Sequence, residues 1–221
     1  MKVQNVNVES EKWKMAQERE CKEWSGLRKR RDDWNIWWKE KFDNYFFVKN
    51  RNINSLLEVG CGPFAQNIRY IMSELPNKNP NVALNDPLLN SYLQFGSFVT
   101  TLPAKHYNCP LEELVIEERY DCVICINVLG HVYDVKKCME NIKGILNPQG
   151  LLILGEDLTN EEDAISCPDV LTDMMHPVRF EYEYLVPYLN EYKTIYKKML
   201  PRQDGRNPVA HYSTLLFAGE K

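Results

Sequence analysis

One short stretch constrains this chain more than any other. Ser55–Val59 is an apolar run that ends in Gly60-Cys61-Gly62 and passes at once into Phe64–Leu75, where apolar residues recur at helical spacing until Pro76. An apolar run of this length bounded by glycine reads as a strand buried on both faces, as in a parallel sheet. Parallel strands need crossovers, so such a strand commits the chain to strands alternating with helices. Two features stand out within it. Glu58 interrupts an otherwise apolar strand, and two glycines follow where the backbone must turn or admit something close.

The rest of the chain continues the alternation. Val82–Asn85 reads as a second strand and Leu88–Phe98 as its helix. A weak strand is expected near Lys105–Asn108, and Asp121–Asn127 is a strong central one. Val135–Leu146 reads as a helix, closed by the turn Asn147-Pro148-Gln149-Gly150, and Leu151–Gly155 as another buried strand. Residues 157–178 read as a long loop, Phe180–Leu189 as a helix containing Pro187, and Tyr192–Met199 and His211–Ala218 as closing strands. The expected fold class is therefore α/β: a doubly wound, mostly parallel seven-stranded sheet with helices on both faces.

The first fifty residues differ. They contain no proline and hold all five tryptophans. Trp34, Trp37 and Trp38 recur at i, i+3, i+4 spacing and so share a helix face. Residues 10–48 read as one long or two shorter amphipathic helices. The expected organisation is an N-terminal helical cap over residues 1–50 and a main domain over 51–221. The aromatic face packs on that domain as core, or also roofs a cavity there.

In open parallel sheets ligands bind beyond the carboxyl ends of the strands. Asp86 ends the second strand, where a carboxylate can accept hydrogen bonds from ribose hydroxyls. Gly60, Gly62 and Ala65 satisfy G-x-G-x-x-A, with an acid roughly 20 residues onward. The local pattern thus fits a nicotinamide dinucleotide as well as other nucleoside cofactors, and an NAD(P)-dependent oxidoreductase stays open on these residues alone.

A wider set of segments resembles class I S-adenosylmethionine-dependent methyltransferases, whose first motif is acid-x-Gly-x-Gly-x-Gly. Leu57-Glu58-Val59-Gly60-Cys61-Gly62-Pro63 resembles that motif, and Asn85-Asp86-Pro87 the acidic end of the second strand. Cys109-Pro110-Leu111-Glu112-Glu113-Leu114 resembles the adenine-side loop. Tyr120–Val132 resembles the fourth strand and its loop, and Ile145–Leu152 the turn into the fifth strand. The resemblance implies S-adenosyl-L-methionine as cofactor, held by Glu58, Gly60, Cys61, Gly62, Asp86, Pro87, Pro110, Leu111, Asn127 and Val128. It implies that Asp86 holds the ribose, that Glu58 orders the glycine turn and the amino end of the methionine moiety, and that the Asn127 backbone carbonyl meets the cofactor ammonium. Three positions depart from the family pattern. Phe64 stands where the third glycine often lies, Pro110 where many relatives carry an aspartate near the adenine amino group, and Gln149 where the late turn has a glycine.

The implied activity is methyl transfer to an oxygen or nitrogen nucleophile of a small molecule. A cofactor-binding protein without turnover is the other possibility. His131, just after the fourth strand, is the candidate base for a hydroxyl acceptor. Trp34, Trp38, His176 and Arg179 are candidate acceptor contacts, Arg179 for an acidic group.

Composition narrows the partners. A net charge of -4 argues against bulk attraction to nucleic acid or anionic membranes. The densest basic run, Lys29-Arg30-Arg31, is followed at once by Asp32-Asp33. No apolar run is long enough to span a membrane, and the N-terminus lacks the apolar centre of a secretory signal. Seven cysteines, several inside apolar strands, suit a reducing cytoplasmic setting. Cys122 and Cys125 form C-x-x-C, but on a strand residues three apart face opposite sides, so no metal site is expected. The sequence leaves the oligomeric state open.

Overall fold

The computed structural model describes residues 6–25, 33–95, 101–167 and 174–221, together with the backbone of the helix that begins at Asp33. Seven strands form one sheet: β1 (Ser55–Val59), β2 (Asn81–Asn85), β3 (Lys105–Tyr107), β4 (Tyr120–Ile126), β5 (Leu146–Leu158), β6 (Lys193–Pro201) and β7 (Ser213–Glu220). Their order is β3-β2-β1-β4-β5-β7-β6. The first five strands pair in parallel, and β7 pairs antiparallel with both β5 and β6. The all-parallel dinucleotide-binding sheet has the order 3-2-1-4-5-6. An antiparallel final strand inserted beside β5 is a different topology.

Among the described residues the helices are α1 (Ser10–Ser25), α2 (Asp33–Lys41), α3 (Gln66–Glu74), α4 (Leu89–Phe95), α5 (Val135–Ile145), α6 (Glu161–Ser166) and α7 (Tyr182–Leu189). A 3-10 stretch, Asp43–Val48, follows α2. Two apolar layers sandwich the sheet. One face carries Leu57, Val123, Cys125 and Leu152 against Val135, Met139 and Ile142 of α5 and Leu185 of α7. The other carries Leu56, Cys122, Ile124 and Ile153 against Ile68 and Ile71 of α3 and Trp38, Phe42, Tyr45 and Val48. Cys122 and Cys125 thus lie on opposite faces, as strand alternation requires.

Two expectations are corrected. Residues 157–178 are not one loop. β5 runs on to Leu158 because its outer edge pairs with β7 as far as Ser213. Helix α6 then starts at a reciprocal capping box, in which Asn160 and Asp163 each accept the other's backbone N–H. The turn expected at Asn147–Gly150 is instead the first part of β5, which pairs with β4 across a register shift between Tyr120 and Cys122. Residues 10–48 take the two-helix alternative, followed by a 3-10 stretch, with residues 26–32 outside the described residues.

The switch point lies between β2-β1 and β4, where crossovers leave β1 in opposite directions. The carboxyl ends Val59, Asn85 and Cys125 stand side by side in register there. The crevice required by this topology opens at that point.

Candidate active site

The glycine turn forms one wall of the crevice. Gly60 and Gly62 have φ of 57° and 59°, where L side chains are strained. A Cβ on Gly60 would meet the Val128 side chain at 2.5 Å, so this glycine lets β1 and the loop after β4 close together. Around Gly62 the same position is open, facing the cavity. Two glycines of one motif thus serve different needs.

Glu58 is buried and reaches under the turn. Its carboxylate accepts the Ile68 N–H at 3.1 Å and the Asn67 side-chain amide at 3.1 Å. Ala65, the residue before α3, is left-handed and makes no side-chain cap, so Glu58 caps α3 from the neighbouring strand. Asn67 in turn bonds Asn35 at 2.8 Å and accepts the Tyr45 hydroxyl at 3.2 Å. The acid in the strand therefore fastens α3 and the α2 region to the turn.

Asp86 is buried at the end of β2. Its two oxygens accept N–H groups of Gly62 at 3.0 Å and Leu88 at 2.8 Å. A carboxylate has about four acceptor positions, so two remain for hydroxyl donors. Burial pushes the carboxyl up to about 7, against the pull of those two N–H groups. Beside it, Asn85 gives both amide hydrogens to carbonyls, Tyr107 at 3.0 Å and Cys109 at 2.8 Å. This fixes its orientation and leaves its Oδ1, in a side chain 1% exposed, with no protein donor. An acceptor in this state beside the cavity calls for a donor from something bound.

The cavity so formed has a volume of about 390 Å³. All ten residues expected to hold the cofactor line it: Glu58, Gly60, Cys61, Gly62, Asp86, Pro87, Pro110, Leu111, Asn127 and Val128. Glu112, in the adenine-side loop, also lines it, with its Oε1 occupied by the N–H groups of Tyr133 and Asp134. Phe64, at the third-glycine position, packs edge-on against Trp24 of α1, ring centres 5.9 Å apart. The departure from the motif thus seats the N-terminal helix.

That helix covers the cavity. Trp13, Gln17, Glu20, Glu23 and Trp24 of α1 line it from above. Trp13 Nε1 and Gln17 Nε2 both donate to the His131 carbonyl, at 2.9 and 3.3 Å. The preceding segment pairs with the loop after β4 through Val8 N to Tyr133 O and Val135 N to Val6 O.

His131 lines the cavity. Its Nδ1 lies 3.1 Å from Glu20 Oε2, and its ring lies 4.1 Å from that of His176. Burial pushes the imidazole down, but Glu20 and Glu156 together outweigh it and the net shift is upward. Glu20 shows the converse. Burial pushes it up, yet His131 and the Trp24 N–H hold it below the usual carboxylate range. Glu156 on β5 accepts the N–H groups of Val128 and Leu129, and burial pushes it up to about 7.

A second cavity of about 230 Å³ adjoins the first and shares Asn127, His176 and Arg206 with it. Arg179 lines this one, buried, with Nη1 donating to the Val178 carbonyl at 2.9 Å. Arg206, from the β6–β7 loop, donates to Asn127 Oδ1 at 2.8 Å and Asp157 Oδ2 at 3.1 Å. Its guanidinium lies over the Trp38 ring at 5.6 Å. Trp38 is thus both core and cavity wall, and the Trp34 side chain lies outside the described residues. Sequence reading singled out none of Glu20, Glu156 and Arg206. Each comes from a distant segment, and no local spacing marks it.

The comparisons agree with this architecture. The profile of the family described as "Methyltransferase domain" matches residues 27–194, and the chain belongs to that family. Ubiquinone biosynthesis O-methyltransferases of Rickettsia bellii and Rickettsia akari are 29% and 28% identical to it over 101 and 109 residues. Those alignments cover 45% and 48% of this chain and 40% and 41% of theirs, so the chain matches about two fifths of the length of these curated relatives. Among solved structures, the N-methyltransferase NodS from Bradyrhizobium japonicum WM9, in complex with S-adenosyl-L-homocysteine, superposes with a TM-score of 0.64 at 15% identity, covering 95% of this chain and 98% of that one. The 1,6-didemethyltoxoflavin-N1-methyltransferase of Burkholderia thailandensis superposes at 0.62 with 14% identity, covering 97% and 91%. At these identities the likeness concerns the fold. Family and topology together set aside the oxidoreductase reading.

Proposed function

We propose that this protein transfers a methyl group from S-adenosyl-L-methionine to an oxygen or nitrogen nucleophile of a small molecule. The observation that carries the reading is the convergence of Gly62, Asn85 and Asp86 on the switch-point cavity, with acceptor positions still open on Asn85 and Asp86.

The residues fit the donor as follows. Asp86 takes the ribose hydroxyls, and Gly62 admits the backbone-hugging part of the molecule. The carbonyl of Asn127, whose φ is 58°, takes the ammonium. Pro87, Pro110 and Leu111 flank the adenine, while Cys61 and Val128 shape the wall. Glu58 acts beneath, by holding the turn and α3 in place. When bound, the donor supplies an electrophilic methyl on a sulfonium, whose thioether leaving group needs no protonation. The chain's own tasks are then alignment of the acceptor, exclusion of water and disposal of the acceptor's proton. Helix α1 excludes water, and His131 receives the proton of a hydroxyl acceptor.

The acceptor approaches from the second cavity, past His176 and Trp38, with Arg179 contacting an acidic group there. A small acceptor is favoured because α1 leaves a covered cavity rather than an open face. The acidic net charge gives no support to a nucleic-acid acceptor. Among the described residues no helix is long and apolar enough to cross a membrane. A cytoplasmic setting suits the seven cysteine thiols, all of them free.

Calorimetry with S-adenosylhomocysteine tests the donor site. Asp86→Ala should weaken binding at least tenfold, about 1.4 kcal/mol, and NAD should not bind. Unchanged affinity in the variant removes Asp86 from the site. A labelled methyl donor incubated with cell extract tests turnover, and persistent absence of transfer would reduce the protein to a binding role.

A further inference from the structure

We infer that Glu20, on the helix that covers the cavity, is a positioning residue for His131, so that docking of α1 assembles the proton acceptor as well as the roof. This rests on the methyltransferase reading above and deepens it.

Three separate contacts bring α1 to this one residue. Trp13 and Gln17 bond the His131 carbonyl, while Glu20 meets its imidazole at 3.1 Å. Glu20 is itself held, since Trp24 Nε1 donates to its other oxygen at 3.1 Å. Trp24 rests in turn on Phe64 beside the glycine turn. The carboxylate therefore has a fixed place, with side-chain exposure of 18%, and His131 is at 17%. At 3.1 Å the Glu20 carboxylate acts on Nδ1 through its charge rather than through an aligned hydrogen bond, and that charge favours the neutral tautomer with its hydrogen on Nδ1, leaving Nε2 as the basic atom. It also stabilises the imidazolium formed once a proton arrives.

The step balances. An acceptor hydroxyl gives its proton to Nε2 while its oxygen bonds the methyl carbon. The carbon–sulfur bond breaks with its electron pair left on sulfur, so the positive charge moves from sulfonium to imidazolium. Glu20 compensates that charge without itself taking the proton.

Other charged groups face the same imidazole. They are Glu156 from β5, His176 and Arg179 from the segment before α7, and Asp86 from the end of β2. Glu156 favours the imidazolium and Arg179 opposes it. With Glu20 neutralised, burial and Arg179 remain against Glu156 and Asp86.

The test is a proton NMR titration of the His131 imidazole with S-adenosylhomocysteine present, in wild type and in Glu20→Gln, resolved from the other three histidines by substitution. Glutamine keeps an acceptor for the Trp24 N–H. His131 should titrate at lower pH in Glu20→Gln and near wild type in Glu20→Asp. Glu18→Gln, which removes the same charge from an exposed position of α1, should leave it unmoved. With an identified hydroxyl acceptor, the rise of kcat with pH should move to lower pH in Glu20→Gln. The plateau should fall tenfold or more with little change in KM, because a weaker base now takes the proton. If His131 titrates in Glu20→Gln where it does in wild type, the proposal is overturned, whatever the activity. If the titration moves but wild type neither binds S-adenosylhomocysteine nor transfers methyl, the pairing stands and the methyltransferase reading falls.

Discussion

Asp86 and Glu156 each face two backbone N–H groups, and removal from water pushes each up to about 7. Their charge state therefore couples to folding. Between about pH 4 and 7 the unfolded chain has released these protons while the folded one keeps them, so both groups lower stability as pH rises through that window. Below it both states are protonated, so neither group yet costs stability. Urea denaturation across pH 4.5–8 should show that Asp86→Asn and Glu156→Gln each remove part of this decline relative to wild type. A variant with an unchanged slope would mean that its carboxyl ionises normally in the folded protein. At the residue scale the sequence marked Asp86, because an acid ending a strand beside a glycine turn is a local pattern. Glu156 also ends a strand-like run, but nothing local shows that Val128 and Leu129 donate to it.

Helix α3 begins at Gln66 after a left-handed alanine, and its cap comes from Glu58 on β1. Glu58→Ala should leave the Ile68 N–H and the Asn67 amide without this buried partner, at a cost of roughly 1–3 kcal/mol. Glu58→Gln should cost less. Equilibrium denaturation checks both, and an alanine variant as stable as wild type would deny Glu58 the capping role. The first part of β5 offers the opposite change. Gln149 is exposed with φ of 64°, so Gln149→Gly should stabilise by up to about 1 kcal/mol once left-handed strain is weighed against the entropy of the unfolded chain. A lower melting temperature would contradict this.

Most elements were legible because burial on both faces leaves continuous apolar runs, as in Asp121–Asn127 and Leu151–Gly155. Helix α6 was not. Six residues are too few for a periodic signal, and its cap Asn160-x-x-Asp163 sits in a stretch that composition alone reads as loop. The extension of β5 was hidden too, because pairing with β7 sets it.

At the scale of the molecule, the first fifty residues divide by burial. Trp38, Phe42, Tyr45 and Val48 lie in the core layer under the sheet, whereas α1 buries only Ala16 and Gln17. A variant beginning after Ser25 should unfold cooperatively, yet bind S-adenosylhomocysteine more weakly for want of its cover. Removal through Val48 should abolish cooperative unfolding, because it strips large side chains from the core. Circular dichroism melts and calorimetry read both. Undiminished affinity in the shorter truncation would exclude α1 from the site.

The glycine turn, Glu58, Asp86 and the strand ends were determined by sequence alone. Parallel strands joined by helices must bring their carboxyl ends to one edge, so local motifs there become neighbours without further information. Tertiary structure decided what faces them. The insertion of β7 beside β5 brings the β6–β7 loop, with Arg206, to Asn127. The folding back of α1 brings Glu20 to His131 across more than a hundred residues. Such contacts depend on how whole elements pack, and no short window of sequence encodes them.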